Sequence, residues 1–213
     1  VSANGSRNLG SKNRSVKEVE PSSPFWPQPT SFSLGTSELS IDSSFSFKQV
    51  QDDKSSLLQR GMERYQKIYD DYHQGRDSQS SNSIQSCNIN VNTIINDPNE
   101  EKATLDLSVD ESYTLEINED GVCNINSNTV WGALHALETF TQLLTRDGDD
   151  FKDITMNYAP VSVANTARFA HRGILLDSAR HYLPLDTLKD MIDSFPMANF
   201  NVMHWHVEDA QSF

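Results

Sequence analysis

Gly173-Ile174-Leu175-Leu176 and Asn201-Val202-Met203-His204-Trp205-His206 are the two stretches that decide the fold. The first is a continuous apolar run, the pattern of a strand buried on both faces. The second reads as another strand. Between them Pro184-Leu185 opens a helical segment with Leu185, Leu188, Met191, Ile192 and Phe195 at apolar positions, the spacing of a helix with one buried face. Strand, helix, strand is one βαβ unit with parallel strands. Pro196 should end or kink the helix, because its ring clashes with the preceding turn.

Two polar clusters follow these strands directly, Asp177-Ser178-Ala179-Arg180-His181 and His206-Val207-Glu208-Asp209. Parallel α/β folds bind ligands beyond the carboxyl ends of their strands, so both clusters stand where a site belongs. A structural ion pair between Arg180 and Asp209 is the plainer reading of the same positions. His204 and His206 point to one side of the strand. An HxH pair can bind zinc, but a third ligand is not evident nearby, and hydrogen-bonded histidines in a buried strand fit better. The chain has no nucleophile elbow and no Walker loop.

Upstream the pattern differs. Residues 1–23 are mostly Ser, Asn, Gly, Lys and Glu and read as a disordered tail. Asn4 and Asn13 there open glycosylation sequons, meaningful only on the secretory route. Order is expected from Pro24-Phe25-Trp26-Pro27. Leu39, Ile41, Phe45 and Phe47 suggest a strand over Glu38–Phe47. Leu58, Met62, Tyr65, Tyr69 and Tyr72 mark a helix over residues 54–73, its tyrosines a packing face. Strands are expected at Ile84–Ile95, Ala103–Val109, Ser112–Asn118 and Val122–Ile125, with Asp120-Gly121 as a hairpin turn. Asn128 is expected to cap a helix running from Thr129 to Arg146, with Val130, Leu134, Leu137, Phe140 and Leu144 as its apolar stripe. Residues 24–160 thus read as an α+β domain, and residues 161–213 as the start of another.

The net charge of −13 repels phosphate backbones, which argues against nucleic acid. It suits a neutral ligand or work at acidic pH. No stretch approaches the length of a transmembrane helix. Cys87 and Cys123 are spaced wrongly for a CxxC motif. They read either as two buried thiols or as a disulfide, depending on compartment.

Phe169-Ala-His-Arg-Gly-Ile-Leu-Leu-Asp-Ser-Ala-Arg-His-Tyr-Leu-Pro184 resembles the opening of the catalytic barrel of family 20 glycoside hydrolases, the β-N-acetylhexosaminidases. Phe200–Phe213, containing His204-Trp205-His206, resembles the second barrel strand and its loop. Trp131–Leu143 is similar to the last helix of the domain before that barrel, and Phe25-Trp-Pro-Gln-Pro29 to its beginning. The resemblance is closest to the eukaryotic enzymes and runs from about residue 24 to the end.

It implies an α+β N-terminal domain followed by the first βαβ unit of a truncated (β/α)8 TIM barrel. It further implies hydrolysis of terminal non-reducing N-acetylglucosamine or N-acetylgalactosamine by a retaining, substrate-assisted route without cofactors. In that route the sugar's own acetamide attacks, an exception to the two-carboxylate scheme. Arg180 matches the arginine that binds hydroxyls of the terminal sugar, and Asp209 the aspartate of the HWHxxD motif. Arg172 matches a structural residue at the barrel's base. The catalytic Asp-Glu pair belongs to a later strand, so the fragment alone is expected to be inactive. The implied partner is a glycan or glycoconjugate, the implied location lysosomal or secreted, and the implied full-length protein a dimer. A non-catalytic glycan-binding or interaction module is the alternative. Glu208 departs from the family, which has an uncharged residue there.

Overall fold

The computed structural model describes residues 23–51, 56–73, 82–92, 106–147 and 153–210, with the side chains of Tyr72, His73 and Asp153 excepted. The tail with Asn4 and Asn13 lies outside the described residues, as do 93–95 and 103–105 of two expected strands. Twelve elements follow in order: β1 (Ser31–Gln49), α1 (Ser56–His73), β2 (Ser83–Val91), β3 (Tyr113–Ile117), β4 (Cys123–Ser127), α2 (Val130–Gln142), β5 (Thr145–Asp147), β6 (Asp153–Asn165), β7 (Gly173–Asp177), α3 (Leu185–Ser194), a 3₁₀ turn (Phe195–Ala198) and β8 (Val202–His206). The architecture is mixed α+β.

Six strands form one sheet in the order β1-β2-β4-β3-β6-β5. The first half of β1 also pairs antiparallel with β6, while its second half runs parallel to β2. Strand adjacency therefore closes on itself through β1. Alternation explains the inward face: Cys87, Ile89 and Val91 of β2, Leu115 and Ile117 of β3, and Val161 and Val163 of β6 are all buried. Helices α1 and α2 join this core. Phe45 stacks on Phe140 with centroids 5.4 Å apart, and Gly61 lies against Leu134, leaving no room for a Cβ. Leu58, Tyr65 and Tyr69 are buried as the helical spacing predicts. Tyr65 donates to Glu138 Oε2 at 2.9 Å and Tyr69 to the Asp42 carbonyl at 2.7 Å. Burial first, then neighbouring carboxylates, raises both phenol pKa values, so they serve packing.

Several local expectations are corrected. Residues 106–109 form a turn, not a strand: Asp106 Oδ1 accepts from the Ser108 amide and hydroxyl at 2.7 and 2.6 Å, a local alternative to sheet pairing. Thr129 caps α2, its side chain accepting from the Gly132 amide at 3.4 Å. Asn128 instead bonds Asp110 and Asn92. The helix stops at Gln142, and Arg146 sits in β5. β6 continues through Pro160 to Asn165. Its pairing with β1 is irregular between Leu34 and Ser37, opposite Pro160, where a residue without an N–H is tolerated. The expected hairpin forms, with Gly121 at φ 81°, a conformation glycine adopts without strain.

Cys87 and Cys123 stand opposite each other in the parallel β2–β4 register and form a disulfide. It closes a loop of 36 residues in sequence separation, which by chain entropy is worth roughly 4 kcal/mol. The Cys87→Ala/Cys123→Ala variant is expected to melt about 10 °C lower. Calorimetry of the oxidised protein beside the variant checks this, and equal melting temperatures would contradict it.

The remaining strands, β7 and β8, pair in parallel with Asp177 opposite His206. Helix α3 ends at Ser194, Pro196 enters the 3₁₀ turn, and Asn199 reverses the chain at φ 53°. The expectation of two-sided burial is not met. Leu176 is buried, but Leu175 on the opposite face is 56% exposed, as a sheet covered on one face only leaves the other to solvent.

Candidate functional site at the ends of two parallel strands

Asp177 closes β7 and folds the turn after it. Its Oδ1 accepts from the amides of Ala179 and Arg180 at 3.1 and 3.0 Å. The Ser178 amide donates to the His206 carbonyl at 3.1 Å, and Trp205 Nε1 donates to Ser178 Oγ at 2.9 Å. These bonds tie the first cluster to the end of β8.

The turn returns Arg180 over the strand end. Its Nε lies 3.4 Å from Asp177 Oδ2 and 3.5 Å from Asp209 Oδ2. The two candidate residues Arg180 and Asp209 are therefore in one place. The distances exceed those of a tight charge-assisted hydrogen bond. The Arg180 side chain is 67% exposed, and Asp209 is mostly buried beneath it. Glu208 is exposed. A guanidinium with one N–H over two carboxylates keeps its remaining donors for a polar ligand.

The histidines differ from expectation. His204 is exposed, and the buried His206 Nε2 has no hydrogen-bond partner among the described residues. No group of three or more His, Cys, Asp or Glu among the described residues is placed to hold a metal ion.

A second polar cluster, of which only Arg172 carries an expectation from sequence, joins the six-stranded unit to β7 and β8. Glu111, just before β3, is buried. It pairs with Arg172 Nη2, accepts from Asn201 Nδ2 at 3.1 Å, and lies 3.7 Å from His135 Nε2 of α2. Arg172 also donates to the carbonyls of Asn199 and Phe169 at 2.7 and 2.6 Å. Burial raises the Glu111 pKa, but His135, Asn201 and Arg172 outweigh it and hold the carboxyl at about 2. Asp110-Glu111 is an adjacent Asp-Glu pair, yet Glu111 is locked as an anion and cannot act as a general acid near neutrality. A single carboxylate in a polar loop carries no sequence signal of such a role.

Among the described residues, no helix is long and apolar enough to cross a membrane. Residues 25–143 match the family described as beta-acetyl hexosaminidase like. Residues 169–213 match the glycosyl hydrolase family 20 catalytic domain. Beta-hexosaminidase 1 of Arabidopsis thaliana is 37% identical over 88% of this chain and 36% of its own length. Beta-hexosaminidase subunit B1 of Dictyostelium discoideum is 32% identical over 95% of this chain and 35% of its own. The solved structure of Flavobacterium johnsoniae chitobiase superposes with a TM-score of 0.69 at 26% identity, over 88% of this chain and 27% of that one. The chain spans about a third of the length of these curated relatives. On these matches, and with Arg180 and Asp209 at adjacent strand ends, the chain belongs to the family 20 glycoside hydrolases, among the β-hexosaminidases.

Proposed function

We propose that these residues are the N-terminal part of an exo-β-N-acetylhexosaminidase that removes terminal non-reducing N-acetylglucosamine or N-acetylgalactosamine from glycans. The carrying observation is the Arg180–Asp209 arrangement beyond two parallel strands. In this reading, residues 24–160 with the end of β6 are an accessory α+β domain, and β7, α3 and β8 open a (β/α)8 barrel. Arg180 binds hydroxyls of the terminal sugar through the N–H donors its carboxylate partners leave exposed. Asp209 holds that guanidinium in place. The substrate's acetamide oxygen attacks the anomeric carbon. An Asp orients the acetamide and the adjacent Glu protonates the leaving oxygen; both are assigned to a later strand.

The disulfide supports an oxidising compartment, lysosomal or secreted. The name of the Dictyostelium relative, a subunit, is in keeping with a dimeric full-length protein. Residues 1–213 alone are expected not to hydrolyse a chromogenic β-N-acetylglucosaminide, while the full-length protein does. Turnover by the isolated 213 residues would overturn the assignment of the acid to a later strand. Inactivity of the full-length protein would overturn the function.

A further inference from the structure

One row of the outward face of the six-stranded sheet carries small, uncharged side chains in register, while Glu116 of β3 stands exposed in the next row, opposite Asn124. Asn90, Asn126, Thr114, Ala164 and Ser31 form one row across β2, β4, β3, β6 and β1. Along β2 and β4 the asparagines pair as rungs. Asn88 Nδ2 donates to Asn124 Oδ1 at 3.3 Å, Asn90 to Asn126 at 3.1 Å, and Asn92 to Asn128 at 2.8 Å. A carboxamide has two N–H groups and two lone pairs, so each rung leaves hydrogen-bonding capacity unused. Asn92, Asn126 and Asn128 are exposed.

A cleft of about 370 Å³ lies over this row, between the asparagine ladder and Thr30 and Thr166. Among the described residues, none of the twelve lining it is Asp, Glu, Lys or Arg, although 22% of the chain is charged. An ion entering the cleft would meet no countercharge among these twelve residues to offset its desolvation. An apolar ligand would cover amides and hydroxyls without satisfying them. A neutral, hydroxyl-rich ligand avoids both costs, since its groups both donate and accept. The volume falls within the ordinary range of ligand sites, roughly 300–1,000 Å³.

We infer that this cleft is a second carbohydrate-binding site, separate from Arg180 and Asp209, which takes a neutral oligosaccharide segment through Asn92, Asn126 and Thr114. Its existence does not depend on hydrolysis.

The test uses the full-length protein with three probes: a tetramer of β-1,4-linked glucose, a tetramer of β-1,4-linked N-acetylglucosamine, and an anionic tetragalacturonate. Hydrogen exchange locates binding and calorimetry measures it. At least one neutral tetramer is expected to protect residues 124–128 and 162–166 with a Kd of about 1 mM, weak as befits a shallow cleft. Ala164→Arg, at an exposed position outside the ladder, is expected to weaken this binding about tenfold or more. Asn126→Asp should do likewise, because it removes a donor and adds charge while its oxygen still accepts from Asn90. Ala164→Arg should leave hydrolysis of a chromogenic monosaccharide substrate unchanged, so failure of this site and failure of the proposed activity are read separately. Absence of protection with both neutral probes, protection by the anionic probe alone, or variants that bind like the wild type would each overturn the inference.

Discussion

Replacing Arg180 by alanine in the full-length protein is expected to lower kcat/KM for a chromogenic β-N-acetylglucosaminide by roughly 10²–10⁴-fold, on the loss of two charge-assisted hydrogen bonds. The melting temperature should move by no more than about 2 °C, because exposed ion pairs contribute little. The two effects separate because of where the residue sits. Its side chain is 67% exposed and its carboxylate partners lie 3.4 and 3.5 Å away, so folding gains little from it. A sugar hydroxyl at the strand ends would instead be bound by a donor set that alanine lacks. Arg180→Lys keeps the charge but not the planar fork, and should recover only part of the loss. Steady-state kinetics beside thermal melting decides the matter. Activity within a few-fold of wild type would remove Arg180 from the sugar site. A large stability loss would make it the structural ion pair that sequence position alone allows.

What the sequence made legible here follows from the range of the forces involved. The stripe of Leu58, Tyr65 and Tyr69, the hairpin at Gly121 and the strand–helix–strand order after Gly173 are written in local periodicity, and all three appear in the structure. Arg180 and Asp209 could be placed together because parallel strands deliver their following loops to one end. β5 and the full extent of β6 were not legible. Arg146 suits a helix C-terminus by charge, yet it pairs with Ile154 in a short antiparallel turnback, and Pro160 reads as a boundary, yet it lies in a strand fixed by β1, far away in sequence. The cap of α2 is Thr129, one residue beyond the expected Asn128. Asn128 and Thr129 are both good capping types, and the choice was made by the pull of Asp110 and Asn92 on the asparagine. Glu111 is the extreme case: its role is made by residues up to 90 positions away, and nothing beside it in the chain announces them.

That position carries the second large effect. Glu111→Gln is expected to destabilise the full-length protein by roughly 3–5 kcal/mol at neutral pH, the usual cost of leaving a buried charge unpaired. The charge is that of Arg172, whose side chain is 15% exposed. Arg172 in turn holds the carbonyls of Phe169 and Asn199, before β7 and β8 respectively. The substitution therefore loosens the seam between the two sheets as well as one ion pair. Acid titration gives this role a separate signature. The Glu111 carboxyl, at about 2 in the folded chain against an ordinary 4.5, binds its proton more weakly when folded. Its stabilising contribution is thus complete above about pH 4.5 and falls away as the pH drops toward 2, by about 3 kcal/mol in all. Glutamine does not titrate, so the variant should lose correspondingly less stability across that same window. Urea unfolding at several pH values would show the two curves converging on acidification. Parallel curves would mean that Glu111 is not held as an anion by His135, Asn201 and Arg172, and a variant as stable as wild type at neutral pH would mean that the seam does not depend on it.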